Sequence, residues 1–133
     1  ATVAEILDVK LPEQAAEDSF SMLPAFLETP HPEPIRAYLL QQGFRGAKYL
    51  AIRRGKWKYL AHKGSGGNNY AQHELLKEYQ LPDTAPNAEG QLFDLEADPG
   101  ETQNLAESHP LVAEELSKLL EQSLSAGRSA PTR

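Results

Sequence analysis

Apolar and polar residues alternate most clearly over residues 48–63, KYLAIRRGKWKYLAHK. Leu50 and Ile52, and then Trp57 and Tyr59, have the two-residue spacing of half-buried β-strands. The arginines and lysines between them would face water, and Gly55 can adopt the positive φ that a tight connection requires. The pattern predicts a β-hairpin with one apolar face.

Two further stretches predict strands, IRAYLLQQ at 35–42 and QLFDL at 91–95. After them, Pro110 suits the first turn of a helix, because its missing N–H costs nothing there, with Ser108 or His109 as the cap. The helix that follows has apolar residues at i, i+4, i+7 and i+8, namely Val112, Leu116, Leu119 and Leu120. Its opposite side carries Glu114, Lys118 and Glu121. Because such a stripe must be buried against another element, the predicted fold class is α+β: a small antiparallel β-sheet of about four strands packed against a C-terminal amphipathic helix.

The remaining segments give weaker patterns. Residues 2–9 predict a short helix that starts in a capping box of Thr2 and Glu5, and residues 10–34 predict an irregular, proline-rich segment held by apolar anchors. Residues 71–79, AQHELLKEY, fit a helix, and residues 81–90 fit a surface linker. Asp98-Pro99-Gly100 predicts a type II turn, because Pro presets φ and Gly tolerates the positive φ at the second central position.

Composition limits the function classes. The chain has 133 residues and a net charge of -6, so neither nucleic acid nor an anionic membrane is expected as a partner. It has no cysteine, which excludes disulfides, thiolate catalysis and cysteine-bound zinc within these residues and leaves the redox compartment open. No apolar run approaches the roughly 20 residues of a membrane span.

Three motifs occur in an order that resembles a known family. AIRRGKWKYL is followed by GSGGNNY and then by QLFDLEADPGETQNLAESHP, which leads into the amphipathic helix. This order resembles the C-terminal subdomain of the sulfatases, the arylsulfatase-like branch of the alkaline phosphatase superfamily, and EDSFSMLPAFL resembles the segment just before it. The resemblance implies a four-stranded antiparallel sheet with a long terminal helix, docked on a larger α/β domain.

The resemblance also implies a division of the chain. Residues 1–30 would connect the chain to a missing N-terminal catalytic domain. Residues 31–125 would form the sulfatase-like C-terminal α+β subdomain, and residues 126–133 would be a flexible tail. The start at Ala1, rather than at Met, fits an excision from a longer chain or a processed terminus. The N-terminal α/β domain of the same parent chain is therefore the expected partner.

Catalysis is expected to lie elsewhere in the parent. Sulfatases use a formylglycine, made from Cys or Ser in a C/S-x-P/A-x-R motif, and a calcium ion, both held mainly in the N-terminal domain. The resemblance thus implies a parent that uses calcium and formylglycine on a sulfated glycan or an aryl sulfate. The sequence leaves the localisation open, a periplasmic or secreted parent being the option considered. No catalytic residue and no metal ligand is predicted in this chain, which alone should be inactive.

One short stretch imitates the nucleophile motif. Ser129, Pro131 and Arg133 match S-x-P-x-R by letter. A formylglycine must sit buried at a helix N-terminus beside a metal, and a terminal tail offers neither. We therefore interpret the match as chance.

The glycine-rich loop GSGGNNY carries the predicted substrate contacts. Its amides and polar side chains could bind an oxyanion, and the candidate substrate-lining residues are His62, Lys63, Ser65, Asn68 and Asn69. The spacing is not that of a P-loop, and the alternative is an exposed flexible connection. Relatives often carry histidines or a short loop before the AIR strand, so a substrate-contacting group is expected either to be absent here or to be replaced by Gln41, Gln42 or Arg45.

Other candidate sites have simpler explanations. The four histidines, His31, His62, His73 and His109, lack the spacing of a zinc site. Asp94, Glu96 and Asp98 lack the later ligands of an EF-hand and fit a solvated acidic turn. Two functions remain, a non-catalytic C-terminal portion of a sulfatase and a free-standing α+β binding module with an anion-binding loop.

Overall fold

The computed structural model describes residues 1–30, 32–43, 49–64 and 69–131. Within these residues the chain divides into two compact units. One consists of residues 38–120, and the other combines residues 1–37 with residues 121–133.

The elements occur in the order predicted for the sheet and the C-terminal helix. The strands are β1 Leu39–Gln42, β2 Leu50–Arg54, β3 Trp57–Leu60 and β4 Gln91–Asp94. The helices are α1 Thr2–Ile6, α2 Leu23–Phe26 and α3 Pro110–Ala126, with a 3-10 turn at Lys77–Tyr79.

The four strands form one antiparallel sheet in the order β1-β2-β3-β4. Leu40, Ile52, Tyr59 and Leu92 face one another across the sheet in a single row. Gly55 closes the hairpin with a φ of 57°, in the left-handed region that favours glycine. The predicted hairpin, the outer strands and the α+β fold class are confirmed.

The first part of α3 completes the core of the 38–120 unit. Leu116 and Leu120 are buried together with Ile52, Tyr59 and Leu92, and the stripe residues Val112 and Leu119 pack at the edge of this cluster. Because α3 presents its stripe to the same sheet face that carries the Leu40 to Leu92 row, one apolar core joins the helix and the sheet.

Asn104 joins the segment before α3 to the sheet. Its buried side chain accepts hydrogen bonds from the backbone N–H groups of Leu92, at 3.0 Å, and Ala106, at 3.1 Å. Its amide nitrogen donates to the Gly90 carbonyl at 3.4 Å. An asparagine suits this position because one side chain satisfies two buried donors and one acceptor on two backbone segments.

Three local predictions are wrong. Helix α1 has Ala1 as its N-cap and no side-chain cap hydrogen bond, so Thr2 and Glu5 do not form the predicted capping box. Asp98-Pro99-Gly100 forms a turn closed by the N–H of Glu101 donating to the Asp98 carbonyl at 3.1 Å, but the positive φ, 54°, belongs to Glu101 and not to Gly100. Therefore it is not a type II turn. Residues 71–79 form turns and the short 3-10 segment instead of a helix, and all nine are exposed, so no packed apolar face supports a longer helix there.

The second unit contains α1, α2 and the chain end. Each short helix is followed by a residue with positive φ, Asp8 after α1 and Glu28 after α2. The N–H of the next residue, Val9 or Thr29, donates a hydrogen bond to the carbonyl five positions earlier, as in a Schellman motif. The N–H of Ala130 donates to the Glu17 carbonyl at 2.9 Å. The division into residues 1–30, 31–125 and a flexible tail stays a prediction. No helix in the described ranges is both long and apolar enough to span a bilayer.

Candidate functional site

A pocket of about 390 Å³ lies against the sheet in the 38–120 unit. Gln41, Ala51 and Leu60 are register partners across β1, β2 and β3. Since neighbouring residues of a strand point to opposite faces, these three belong to the face opposite the helix-packed row. The described lining consists of Gln41, Gln42, Gly43, Tyr49, Ala51, Lys58, Leu60 and His62.

His62 is held at the edge of the pocket by its neighbours. The backbone carbonyl of His62 accepts a 2.8 Å hydrogen bond from Nε2 of the buried Gln91. The ring nitrogen Nδ1 lies 3.0 Å from the Lys63 carbonyl oxygen and 3.2 Å from Gln91 Nε2. In a neutral ring, Nδ1 either donates to the Lys63 carbonyl, which leaves Nε2 as an acceptor, or accepts from the Gln91 amide, which leaves Nε2 as a donor.

Tyr49 packs against His62. Their ring centroids are 4.9 Å apart at an interplanar angle of 63°, an edge-to-face arrangement. Tyr49 is fixed in turn by its carbonyl, which accepts a 2.7 Å hydrogen bond from the N–H of Gly43 just after β1. With Ala51 and Leu60, the Tyr49 ring gives the pocket an apolar component.

Lys58 carries the one formal positive charge among the described lining residues, His62 being taken as neutral. Its ammonium lies 2.5 Å from Glu101 Oε1, and the two side chains are only 20% and 17% exposed. The ion pair neutralises the ammonium and fixes it beside the sheet. The strand pattern alone indicated a solvated outer face for this lysine, whereas its side chain is largely covered.

The predicted substrate-lining residues separate in the structure. Of the five, His62 lines the pocket. Lys63 is exposed and pairs with Glu89 at 3.0 Å, and the side-chain oxygen of Asn69 accepts from the N–H of Ala71 at 3.4 Å. Ser65 and Asn68 lie outside the described residues. The substrate role of all five stays a prediction.

Gln41 and Gln42, expected to replace the histidines of relatives, both line the pocket, whereas Arg45 is not among the described residues. Sequence reasoning missed Tyr49 and Lys58 as pocket residues. The position of Lys58 follows from its alternation with the core residue Tyr59 on β3, whereas Tyr49 precedes β2 and no periodic pattern marks it.

The acidic turn after β4 is used internally. Asp94 Oδ2 accepts a 2.6 Å hydrogen bond from Lys56, and Oδ1 accepts from the N–H groups of Glu96 and Ala97. The Lys56 hydrogen bond lowers the pKa of Asp94. Both oxygens of Asp98 accept hydrogen bonds from Thr102, and Oδ2 accepts a further one from the Gln103 N–H.

The residues that the structure describes do not form a metal site or a formylglycine site of the kind expected in a sulfatase. No cluster of three or more His, Asp or Glu side chains there could hold a metal ion. Ser129, the serine of the S-x-P-x-R match, donates its hydroxyl to Asp18 at 2.8 Å, and Arg133 is outside the described ranges. We therefore assign no step of sulfate ester hydrolysis to these residues.

A curated relative covers nearly all of the chain. The chain is 37% identical over 121 residues to an N-acetylgalactosamine-6-O-sulfatase of Bacteroides thetaiotaomicron, which is 91% of this chain and 21% of that protein. A solved structure from work on the metabolism of multiple glycosaminoglycans by Bacteroides thetaiotaomicron is 34% identical, with a TM-score of 0.65 over 91% of this chain and 23% of that one. The chain is homologous to a portion of the sulfatases.

A further solved structure has the same fold at lower identity. Ps i-CgsB in complex with k-i-k-neocarrahexaose is 25% identical over 91% of this chain and 22% of that one, with a TM-score of 0.51. None of the protein-family models matches the chain. The resemblance to a sulfatase C-terminal subdomain is thus confirmed, and the chain spans about a fifth of the length of the sulfatase relative that it matches.

Proposed function

We propose that this chain is the C-terminal portion of a sulfatase, a sulfuric ester hydrolase, in which it supports the catalytic domain and lines the substrate pocket. The observation that carries the proposal is the 37% identity, over 91% of the chain, to a sulfatase about four times as long. The formylglycine and the calcium ion of the family would be supplied by the rest of the protein.

The proposed substrate is a sulfated glycan, with N-acetylgalactosamine 6-sulfate as the first compound to test. The support is the name of the relative, an N-acetylgalactosamine-6-O-sulfatase, together with the complex of a structural neighbour with k-i-k-neocarrahexaose. An aryl sulfate is the alternative substrate. An aryl sulfate would make fewer hydrogen bonds than a glycan with the amide and imidazole groups that this chain places beside the sheet.

The role in substrate binding predicts a particular kinetic change. In the longer protein that contains this chain, His62→Ala should raise KM for N-acetylgalactosamine 6-sulfate more than it lowers kcat, since a group at the pocket wall binds the substrate without reacting. Loss of one such polar contact should lower kcat/KM about three- to tenfold. His73→Ala is the matched control, because His73 is exposed and outside the described pocket lining.

The measurements are sulfate release and steady-state kinetics. The longer protein should release sulfate, and the 133-residue chain by itself should not. Release by the chain alone would contradict the assignment of catalysis to another domain. A longer protein without sulfatase activity on glycan or aryl sulfates would overturn the proposed function and favour a free-standing binding module.

A further inference from the structure

A row of four register partners crosses the pocket face of the sheet, and its last member is a buried polar residue. Gln41, Ala51 and Leu60 pair across β1, β2 and β3, and Leu60 pairs in turn with Gln91, the first residue of β4. Gln91 is 1% exposed and is not among the described lining residues of the pocket. Any influence of Gln91 on the pocket therefore passes through the residues that it contacts.

The Gln91 amide is oriented by the His62 carbonyl. Gln91 Nε2 lies 2.8 Å from this oxygen, which can only accept a hydrogen bond. The amide must therefore direct its NH2 group, and not its own oxygen, at the segment that follows β3. Because a buried donor is costly to leave without a partner, this hydrogen bond fixes the backbone of His62 beside β4.

The same NH2 group lies next to the His62 ring. Gln91 Nε2 is 3.2 Å from Nδ1 of the ring, and an NH2 group with two hydrogens can donate to Nδ1 as well as to the carbonyl. The Lys63 carbonyl oxygen, 3.0 Å from Nδ1, instead accepts a proton that Nδ1 carries. The two neighbours thus compete, since Gln91 favours the tautomer with its proton on Nε2 and the Lys63 carbonyl favours the one with its proton on Nδ1.

Gly64 brings the chain close to the same amide. Its φ is 144°, in a region that L-residues rarely adopt, and a Cβ at this position would lie 3.3 Å from Gln91 Nε2. Glycine permits both this backbone conformation and the close approach. His62 and Gly64, on either side of Lys63, therefore both lie against the Gln91 side chain.

We propose that Gln91 is a positioning residue for His62, whose buried amide holds the His62 backbone and shifts the imidazole toward the tautomer that carries its proton on Nε2. The consequence for substrate binding rests on the function proposed above, in which His62 lines the substrate pocket. Gln91 acts through His62 and not by contact with the substrate.

The first test is the state of the His62 ring in the 133-residue chain. Nitrogen-15 NMR at about pH 8.5, roughly two units above the ordinary pKa of histidine, reports which ring nitrogen carries the proton. Gln91→Leu removes a donor next to Nδ1 and leaves the Lys63 carbonyl. The ratio of the Nδ1–H form to the Nε2–H form should therefore rise about three- to tenfold, the equivalent of one hydrogen bond. The ring of His73, which is exposed, should not change.

A second variant decides the matter even if Gln91→Leu does not fold. Gly64→Ala lies outside the strands, and its strained φ should move the chain away from the Gln91 amide and raise the Nδ1–H form in the same direction. Gly127→Ala is its matched control, because Gly127 also has a positive φ, 65°, but no described atom within 4 Å of an added Cβ. Ser123→Ala removes another buried polar group and is the control for Gln91→Leu. Neither control should change the His62 ring.

The second test is kinetic and uses the longer protein. Gln91→Leu should raise KM for N-acetylgalactosamine 6-sulfate about three- to tenfold, and more than it lowers kcat, because the ring then presents an acceptor in place of a donor at Nε2. Added to His62→Ala, it should change KM less than about twofold, since both substitutions act on the same group.

Unchanged His62 signals in Gln91→Leu and Gly64→Ala would overturn the positioning role, and so would KM effects of Gln91→Leu and His62→Ala that multiply in the double variant. Failure of the proposed function gives a different result. A changed His62 ring in the chain, with no sulfate release by the longer protein, would support the positioning role and contradict the sulfatase function.

Discussion

The ion pair between Lys56 and Asp94 makes the stability of the fold depend on pH at the scale of single residues. Lys56 lies in the hairpin turn between β2 and β3, Asp94 is the last residue of β4, and Lys56 Nζ lies 2.6 Å from Asp94 Oδ2. This hydrogen bond lowers the pKa of Asp94 below its ordinary 3.8 and raises the pKa of Lys56 above its ordinary 10.5. The contribution of Asp94 to folding stability is present above pH 3.8, and it is lost as the pH falls through the lower pKa of Asp94 in the folded state. The contribution of Lys56 to folding stability is present below pH 10.5, and it is lost as the pH rises through the higher pKa of Lys56 in the folded state.

Asp94→Asn should therefore destabilise the chain at pH 7, and the difference from the wild type should shrink as the carboxylate is protonated below pH 3.8. Urea unfolding at pH 7 and at about pH 2.5 measures the two differences. Glu121→Gln removes an exposed carboxylate and is the control, for which we expect a small difference at both pH values. A penalty for Asp94→Asn that is equal at the two pH values would show that the charge of Asp94 contributes nothing.

At the scale of elements, α3 tests whether the apolar stripe carries the fold. Leu116 is fully buried in the core, whereas Leu111 on the same helix is 79% exposed. Leu116→Ala should cost about 2–5 kcal/mol of unfolding free energy because it leaves a cavity, and Leu111→Ala should stay within about 0.5 kcal/mol. The two substitutions remove the same atoms, so helix propensity cancels between them. Urea denaturation measures both, and equal penalties would contradict the packing of the stripe on the sheet.

Periodicity predicted the elements that bury a face, and it failed where no face is buried. The alternation of Leu50, Ile52, Trp57 and Tyr59 and the stripe that includes Leu116 each select one backbone geometry, so the hairpin and α3 follow from sequence. Residues 71–79 have helix-forming composition but no buried partner, so they form only a 3-10 turn. Gly100 permits a type II turn without requiring it, and the three hydrogen bonds that the Asp98 carboxylate accepts from Thr102 and Gln103 favour the arrangement observed.

The candidate site was only partly predictable. His62, Gln41 and Gln42 were singled out from sequence and line the pocket, whereas Tyr49 and Lys58 were not singled out. Tyr49 gains its position from a backbone bond with Gly43 and from ring contact with His62, 13 positions later in the chain. Such a pairing of distant residues leaves no local pattern, because it depends on strand register and not on composition.

At the scale of the whole molecule, the proposed function makes the apolar surface of the N-terminal segment the predicted docking surface for the rest of the longer protein. Val3 on α1 and Phe26 on α2 are 68% and 71% exposed, and neither helix contributes a buried residue. Short helices with few buried contacts open at low free energy, so the amides of residues 3–27 should exchange faster in the 133-residue chain than those of residues 50–60. In the longer protein, docking would cover these side chains and slow exchange over residues 3–27, while the hairpin should change less. Hydrogen exchange read by mass spectrometry on both proteins measures this. Equal protection of the two segments in the chain alone, or fast exchange of residues 3–27 in both proteins, would show that this surface is not the proposed docking surface.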